Sequence, residues 1–225
     1  MEVEIWSDIA CPWCYIGKRR FEAALAGFEH ADELKLTWRS FELDPGAPPE
    51  RPGDSTAMLA EKYGTTVDEA RARQQQVADV AAGEGLEYHL DSVRMGSTFD
   101  GHRLLQLAAL HGLQDQMKER LMRARFTEGR LISDREFLVS AATEVGLDAD
   151  EVAAMLASDR FAEQVREDEA TARRFGITGV PMFVVDRTYA ASGAQPAEQL
   201  LGLLRHGWEH REPELTPSSR RASAR

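Results

Sequence analysis

Ser7-Asp8-Ile9-Ala10-Cys11-Pro12-Trp13-Cys14-Tyr15 is the stretch on which the fold turns. Ahead of it, Glu2-Val3-Glu4-Ile5-Trp6 alternates with the period of a short strand. Behind it, the residues from Gly17 to Leu25 favour helix, with Phe21, Leu25 and Phe28 on one side. A second alternating segment, Leu34-Lys35-Leu36-Thr37-Trp38, follows. Strand, helix and strand in one short run form a βαβ unit, whose strands are parallel. Cys11 and Cys14 then sit between a strand and a helix, close enough for their sulfurs to join. At the helix start Cys11 faces free N–H groups and the positive end of the macrodipole, which stabilise a thiolate and lower its pKa. Cys14, one turn inside, is placed to resolve a mixed disulfide. Pro12 suits a first helical position, where its missing N–H has no partner to lose.

These are the only two cysteines, which excludes a secreted disulfide framework. A zinc site needs four ligands, and none of the histidines at 30, 89, 102, 111, 206 and 210 shows ligand spacing beside the motif. Redox chemistry is the preferred reading, with metal binding and inert buried thiols as the alternatives. The 225 residues, 43% hydrophobic and 29% charged, are enough for one large domain or one domain with an insertion. No apolar run reaches the length of a membrane span. A net charge of −11 disfavours nucleic acid and anionic membranes as partners. The start, Met1 to Trp6, lacks the basic flank and apolar stretch of a secretory signal, which predicts a cytoplasmic protein.

From Asp44 to Gly53, prolines and glycines mark a loop, and from about Ala57 to Phe175 the pattern is almost entirely helical. Thr66…Glu69 and Ser133…Glu136 fit capping boxes, and Gly129 and Gly146 sit where helices stop. Met117, Leu121 and Ala124 recur at helical spacing, as do Phe161 and Val165. The strand pattern returns at Pro181–Val185, turns near Asp186-Arg187 and resumes at Thr188–Ser192, an antiparallel hairpin. Pro196 opens a last helix, and residues 212–225 read as a disordered tail. The order βαβ, helical block, ββα predicts a small mixed sheet flanked by helices. Pro181, preceded by Gly176-Ile177-Thr178-Gly179-Val180, stands at a strand entry, where a proline costs no ladder bond. Its bond to Val180 reads either as an ordinary trans bond or as a cis bond that turns the Val180 backbone toward a peptide docked beside Cys11.

Taken together these segments resemble the DsbA-type form of the thioredoxin fold. Within it the chain is similar to the FrnE-like branch, through Ser7–Tyr15, Ser40-Phe41-Glu42-Leu43-Asp44-Pro45, Thr98-Phe99-Asp100-Gly101-His102-Arg103-Leu104, Phe126-Thr127-Glu128-Gly129, Gly176–Pro181 and Ser192-Gly193-Ala194-Gln195-Pro196. The resemblance runs from residue 3 to about 205. It implies an α/β thioredoxin fold whose halves, 1–50 and 170–211, enclose an all-helical insertion at 51–169. It also implies a cis Pro181, an exposed nucleophile at Cys11, and Cys14 as its partner. Ser97 departs from the family pattern, which favours asparagine before the threonine.

Around the thiols, Pro12, Trp13, Val180 and Pro181 are the expected rim. His102 either lines a cleft facing Cys11, where it would favour thiolate, or holds a loop at its helix start. Asp8 either relays protons or caps the turn into the helix. Trp13 is expected to cover the rim and Tyr15 to pack. Phe41 and Met182 are read as core or as apolar surface for substrate, and the acidic faces of the helical block as solvated. The leading reading is a thiol–disulfide oxidoreductase that needs no cofactor beyond its own redox-active cysteines. Its expected partners are protein or peptide thiols, with glutathione a candidate co-substrate, in a monomer or homodimer. The alternatives are an isomerase or glutathione-using enzyme acting on a small aromatic or polyketide-like molecule, and a non-catalytic binding module.

Overall fold

Strand β1 (Glu2–Ser7) is an inner strand of a four-stranded sheet of order β2-β1-β3-β4, with β2 (Lys35–Ser40), β3 (Met182–Val185) and β4 (Tyr189–Ser192). It pairs parallel to β2 and antiparallel to β3, and β3 pairs antiparallel to β4. The computed structural model describes residues 1–211, and the stretch 212–225, expected to be a disordered tail, lies outside them. Helix α1 (Pro12–Ala26) links β1 to β2. Between β2 and β3 run α2 (Ser55–Tyr63), α3 (Val67–Gly83), α4 (Phe99–Leu110), α5 (Gln114–Phe126), α6 (Arg135–Glu144), α7 (Ala149–Leu156) and α8 (Ala162–Arg174), and α9 (Ala197–Glu209) closes the described chain. This is a thioredoxin-type core carrying a large helical insertion.

Alternation in β1 sends Val3 and Ile5 to one face of the sheet, where they pack with Trp38, Phe183 and Val185 against Phe21 and Phe28 near α1 and Leu200 and Leu204 of α9. Glu4 and Trp6 point to the other face, and α8 covers it. Trp6 Nε1 donates to the Asp168 carbonyl at 3.0 Å, and the indole packs with Ala172, Ile177 and Val184. Half-buried Phe41 and Met182 lean on the same cluster.

The expectation of solvated acidic faces in the helical block does not hold at α8, where Asp168 and Glu169 are buried, and in the sheet Glu4 is buried as well. Asp168 of α8 is buried, accepting from Arg39 Nη1 at 3.0 Å, the Ser40 amide at 2.9 Å and Gln106 Nε2 at 2.8 Å. Glu4 of β1 is buried between the guanidinium groups of Arg39 and Arg187, whose Nε atoms each lie 2.8 Å from it. The reason is that both faces of the sheet are covered, so an acid at a strand's polar position must find a cation instead of water. Arg187 reaches Glu4 from the β3–β4 turn, where Asp186 and Arg187 both have positive φ (45° and 55°), the pairing that a right-twisted hairpin requires.

In the helical block, Met117, Leu121 and Ala124 bury one face of α5 against Leu104 and Leu107 of α4 and Leu138 of α6. Thr66 and Glu69 form the expected capping box at α3. Ser133 does not cap α6. Asp134 does, accepting from the Glu136 and Phe137 amides, while the Ser133 hydroxyl donates to the Pro49 carbonyl. The block consists of several helices, as its pattern implied, but residues 84–98 form a long irregular segment between α3 and α4. Gly85 in left-handed backbone (φ 75°) turns the chain there. Arg51 and Met95 join in an isolated bridge that ties this segment to the loop after β2.

Candidate active site

The β1–α1 junction is built around Asp8. Its Oδ1 accepts from the Ala10 amide at 3.1 Å and the Thr98 hydroxyl at 2.9 Å, and lies 3.2 Å from His102 Nε2. Its Oδ2 accepts from the Leu43 amide at 2.8 Å. One carboxylate thus ties the start of α1 to the loop after β2 and to the start of α4. Burial alone would raise its pKa. The hydrogen bond and charge of His102 and the amides of Leu43 and Ala10 outweigh burial and hold it at about 2. The carboxylate is therefore ionised at neutral pH and acts as a brace rather than a proton relay.

His102 is fully buried behind Asp8, with no partner on Nδ1, and it does not line the cleft beside Cys11. The expectation that it stands on the active-site rim is corrected accordingly: one turn inside α4, its side chain is spent on holding Asp8. A pH dependence follows from this brace. Asp8 titrates lower folded than unfolded, so its stabilisation is complete above the unfolded value of 3.8 and is lost as pH falls toward 2. The contribution is on the order of 2 kcal/mol. His102→Ala is expected to shrink it, so that thermal unfolding followed from pH 5 to 2 shows its acid limb displaced to higher pH. An unchanged acid limb would remove His102 from this role.

Cys11 is the N-cap of α1, and Pro12 takes the first helical position. Both thiols are free and buried, Cys11 at 5% exposure and Cys14 at 1%. The exposed Cys11 implied by the family resemblance is therefore a nearly covered one, because residues of the helical block (Leu86, Tyr88, Val93, Phe126) close over the motif. Cys11 still lines the cleft, and Cys14 does not. The Cys11 thiol donates to the Val180 carbonyl at 3.6 Å, and the Val180–Pro181 bond is cis. Gly17 lets α1 approach that loop, since a Cβ there would lie 3.0 Å from Pro181 Cγ. Trp13, 40% exposed, stands at the mouth of the cleft. Tyr15 packs against Tyr88 and Phe126, which also meet each other, and donates to Glu119 Oε1 at 2.5 Å.

The two thiols influence each other's ionisation and titrate as a pair. Burial opposes a charge on Cys14. The Cys11 thiol, the charge of Lys118 and the Asp8 amide outweigh it and lower the Cys14 pKa. The Cys11 proton held toward Cys14, burial and the Cys14 charge push Cys11 well above the usual thiol range. The depressed ionisation expected at Cys11 alone thus belongs to the pair, whose first proton leaves easily and whose second is retained. Lys118 of α5 is fully buried beneath the thiols, donating to the Ser7 carbonyl at 3.2 Å. Burial pushes its pKa down to about 8 against the upward pull of Cys14, Asp8 and Cys11.

Sequence reasoning passed over Lys118, Ser7 and Tyr88, whose hydroxyl donates to the Pro12 carbonyl at 2.7 Å. Lys118 and Tyr88 come from the helical block, and only a lysine at a position of otherwise apolar helical spacing could have marked the first of them. Cys11, Pro12 and Trp13 form one end of a cleft of about 920 Å³ whose far walls are α2, α3 and the segment around Met95. Among the described residues, no three His, Cys, Asp or Glu side chains are placed to hold a metal ion.

A reduced Cys-Pro-Trp-Cys pair at a helix start, facing a cis-proline loop in this fold, is the active site of a thiol–disulfide oxidoreductase. Residues 2–205 match the DSBA-like thioredoxin domain, and the chain belongs to that family. It is similar to a probable DsbA oxidoreductase from Streptomyces coelicolor, with 47% identity, a TM-score of 0.91, and 96% of this chain and 93% of that one covered. It is 25% identical over 199 residues to the uncharacterized protein YwbO of Bacillus subtilis, covering 86% of this chain and 91% of that protein. The fold is shared with the cytosolic disulfide reductase DsbM from Pseudomonas aeruginosa, solved with GSH, at 18% identity and a TM-score of 0.66 over 93% of this chain and 100% of that one.

Proposed function

We propose that Cys11 is the attacking and attacked sulfur and Cys14 the resolving one, acting on protein or peptide thiols with glutathione as a co-substrate. The observation that carries this reading is the asymmetry of the pair: Cys11 borders the cleft and Cys14 lies wholly behind it. In the reductive direction, Cys11 gives its proton to Cys14 or solvent and its thiolate attacks one sulfur of a substrate disulfide. A Cys11–substrate disulfide forms, and the other substrate sulfur leaves as thiolate and takes up a proton. Cys14 then gives up its proton and its thiolate attacks Cys11 Sγ, expelling the second substrate sulfur as thiolate, which takes up that proton; the enzyme is left oxidised and the substrate reduced by two electrons. The reverse sequence oxidises a dithiol.

Pro12, Trp13, Val180 and Pro181 form the docking rim in this reading, supported by the Cys11–Val180 contact and by Trp13 at the mouth. Membership of the FrnE-like branch rests on the motifs from Ser7 to Pro196 quoted above. A cytoplasmic location draws its support from the cytosolic DsbM that shares the fold, and the GSH bound to that protein supports glutathione as co-substrate.

Equilibration in a series of glutathione redox buffers, followed by alkylation and intact mass, tests the dithiol mechanism. The expected result is one reversible two-electron transition between dithiol and Cys11–Cys14 disulfide. A lone glutathione adduct on Cys11 with no internal disulfide would overturn it and return the small-molecule enzyme reading.

A further inference from the structure

A cation without a carboxylate partner stands in the wall of the cleft. Arg125 of α5 is 3% exposed, with Nη1 donating to the Arg94 carbonyl at 3.1 Å and Nη2 to Met95 Sδ at 3.6 Å. Its Nε is buried with no partner, and its guanidinium lies 5.9 Å from the Phe126 ring centre. Burial lowers its pKa, but an arginine remains charged at neutral pH. A buried guanidinium held only by a carbonyl and a thioether is costly, and an anion beside it would relieve that cost.

Across the cleft, Lys62 of α2 and Arg73 of α3 line the same space, and neither meets a carboxylate among the described residues. The cleft's own acids do not balance these three cations. Asp44 is paired with Arg51 at 3.3 Å, and Asp8, whose charge acts on Arg125 without touching it, and Glu61 leave the three cations one charge in surplus. In a chain of net charge −11, a cleft with surplus positive charge ending at a reactive thiol is complementary to an anionic ligand.

We propose that the cleft is a binding site for a small thiol or disulfide bearing carboxylates, of about tripeptide size, with one carboxylate on Arg125, another near Lys62 and Arg73, and its sulfur at Cys11. The proposal deepens the oxidoreductase reading by assigning the side chains that select the co-substrate. An arginine suits the buried end because its planar fork meets a carboxylate with two donors, while Lys62 and Arg73 steer from the rim. The cleft's volume falls within the range of small-ligand sites.

The test compares glutathione disulfide, which carries carboxylates, with bis(2-hydroxyethyl) disulfide, which carries none. Arg125→Met is expected to lower kcat/KM for glutathione disulfide by about tenfold or more, chiefly through KM, and to leave the uncharged disulfide within about twofold. Arg125→Lys is expected to restore part of the loss. Because Arg125 is buried, the surface double variant Lys62→Ala/Arg73→Ala provides a second arm, with a several-fold loss confined to glutathione disulfide. Binding of S-methylglutathione, measured calorimetrically, reads the site without any redox step. If wild type failed to turn over the uncharged disulfide, the oxidoreductase reading would fall, and the calorimetric arm would still decide this one. Equal losses on both disulfides, unchanged S-methylglutathione binding in both variants, or a charge preference confined to acidic disulfide-bonded peptides would overturn the proposal.

Discussion

Cys11→Ser is expected to lower thiol–disulfide exchange by roughly a thousandfold or more, the scale on which removal of a covalent nucleophile acts. A hydroxyl in the same place is not ionised at neutral pH and forms no stable bond to sulfur, so neither the attack nor the mixed disulfide survives. Cys14→Ser is expected to behave differently. Cys11 would still attack, but no second thiolate lies behind it, and the protein should accumulate with one substrate or glutathione molecule attached. Intact mass separates the two cases: an adduct on the Cys14→Ser variant, and little or none on Cys11→Ser. The physical basis is access, since Cys11 borders the cleft and Cys14 is covered by it. Adducts appearing instead on Cys14 of the Cys11→Ser protein would reverse the assignment of roles.

Lys118→Met is the second large effect, and it acts on the pair's chemistry without touching the cleft. Lys118 is fully buried, with its Nζ on the Ser7 carbonyl and 5.6 Å from the Trp38 ring centre, and among the described residues it meets no carboxylate at ion-pair distance. Its charge is one of the influences that favour a thiolate on Cys14. Without it the first ionisation of the dithiol is expected to rise by about one unit, the size typical of losing one nearby charge. The reduced enzyme loses that stabilisation and the disulfide form does not. The midpoint is therefore expected to move to more negative potential, by about 30 mV for each tenfold change in the equilibrium. Thiolate absorbance against pH, with the redox midpoint in the same buffers, measures both quantities.

Stability provides an independent reading of the same residue. Lys118 titrates near 8 in the fold against 10.5 unfolded, so its burial is a penalty in full below pH 8 that is relieved as pH rises toward 10.5. Lys118→Met should abolish that rise, and methionine fills nearly the same volume without a charge to desolvate. Unchanged thiol ionisation in the variant would show that the lysine only packs.

Periodicity and spacing carried the elements nearest the chemistry. The alternation of Val3 and Ile5, the helix start at Pro12, and the hairpin turn at Asp186-Arg187 are local facts, set by side-chain direction and backbone preference within a few residues. Cys11 and Cys14 were legible for the same reason, since four consecutive residues hold the whole redox pair. Ser133 shows where local reading fails. Its spacing to Glu136 fits a cap, but Asp134 is nearer the helix and takes the amides, while the serine finds the Pro49 carbonyl from a distant loop.

Lys118, which tunes the pair, and the side chains that brace the site or line its cleft came from elsewhere in the chain. Lys118, His102, Thr98, Tyr88 and Arg125 lie in the helical block, far from the motif in sequence, and whether each is exposed, braced or aimed at a sulfur depends on how that block packs over α1. His102 could face the cleft or hold Asp8 as far as its own segment was concerned, and Glu4 could face water or arginine. Short-range pattern therefore sets which residues form strand, helix and thiol pair. The desolvation and long-range charge that govern thiol ionisation and ligand choice depend on three-dimensional neighbours, which no local window contains.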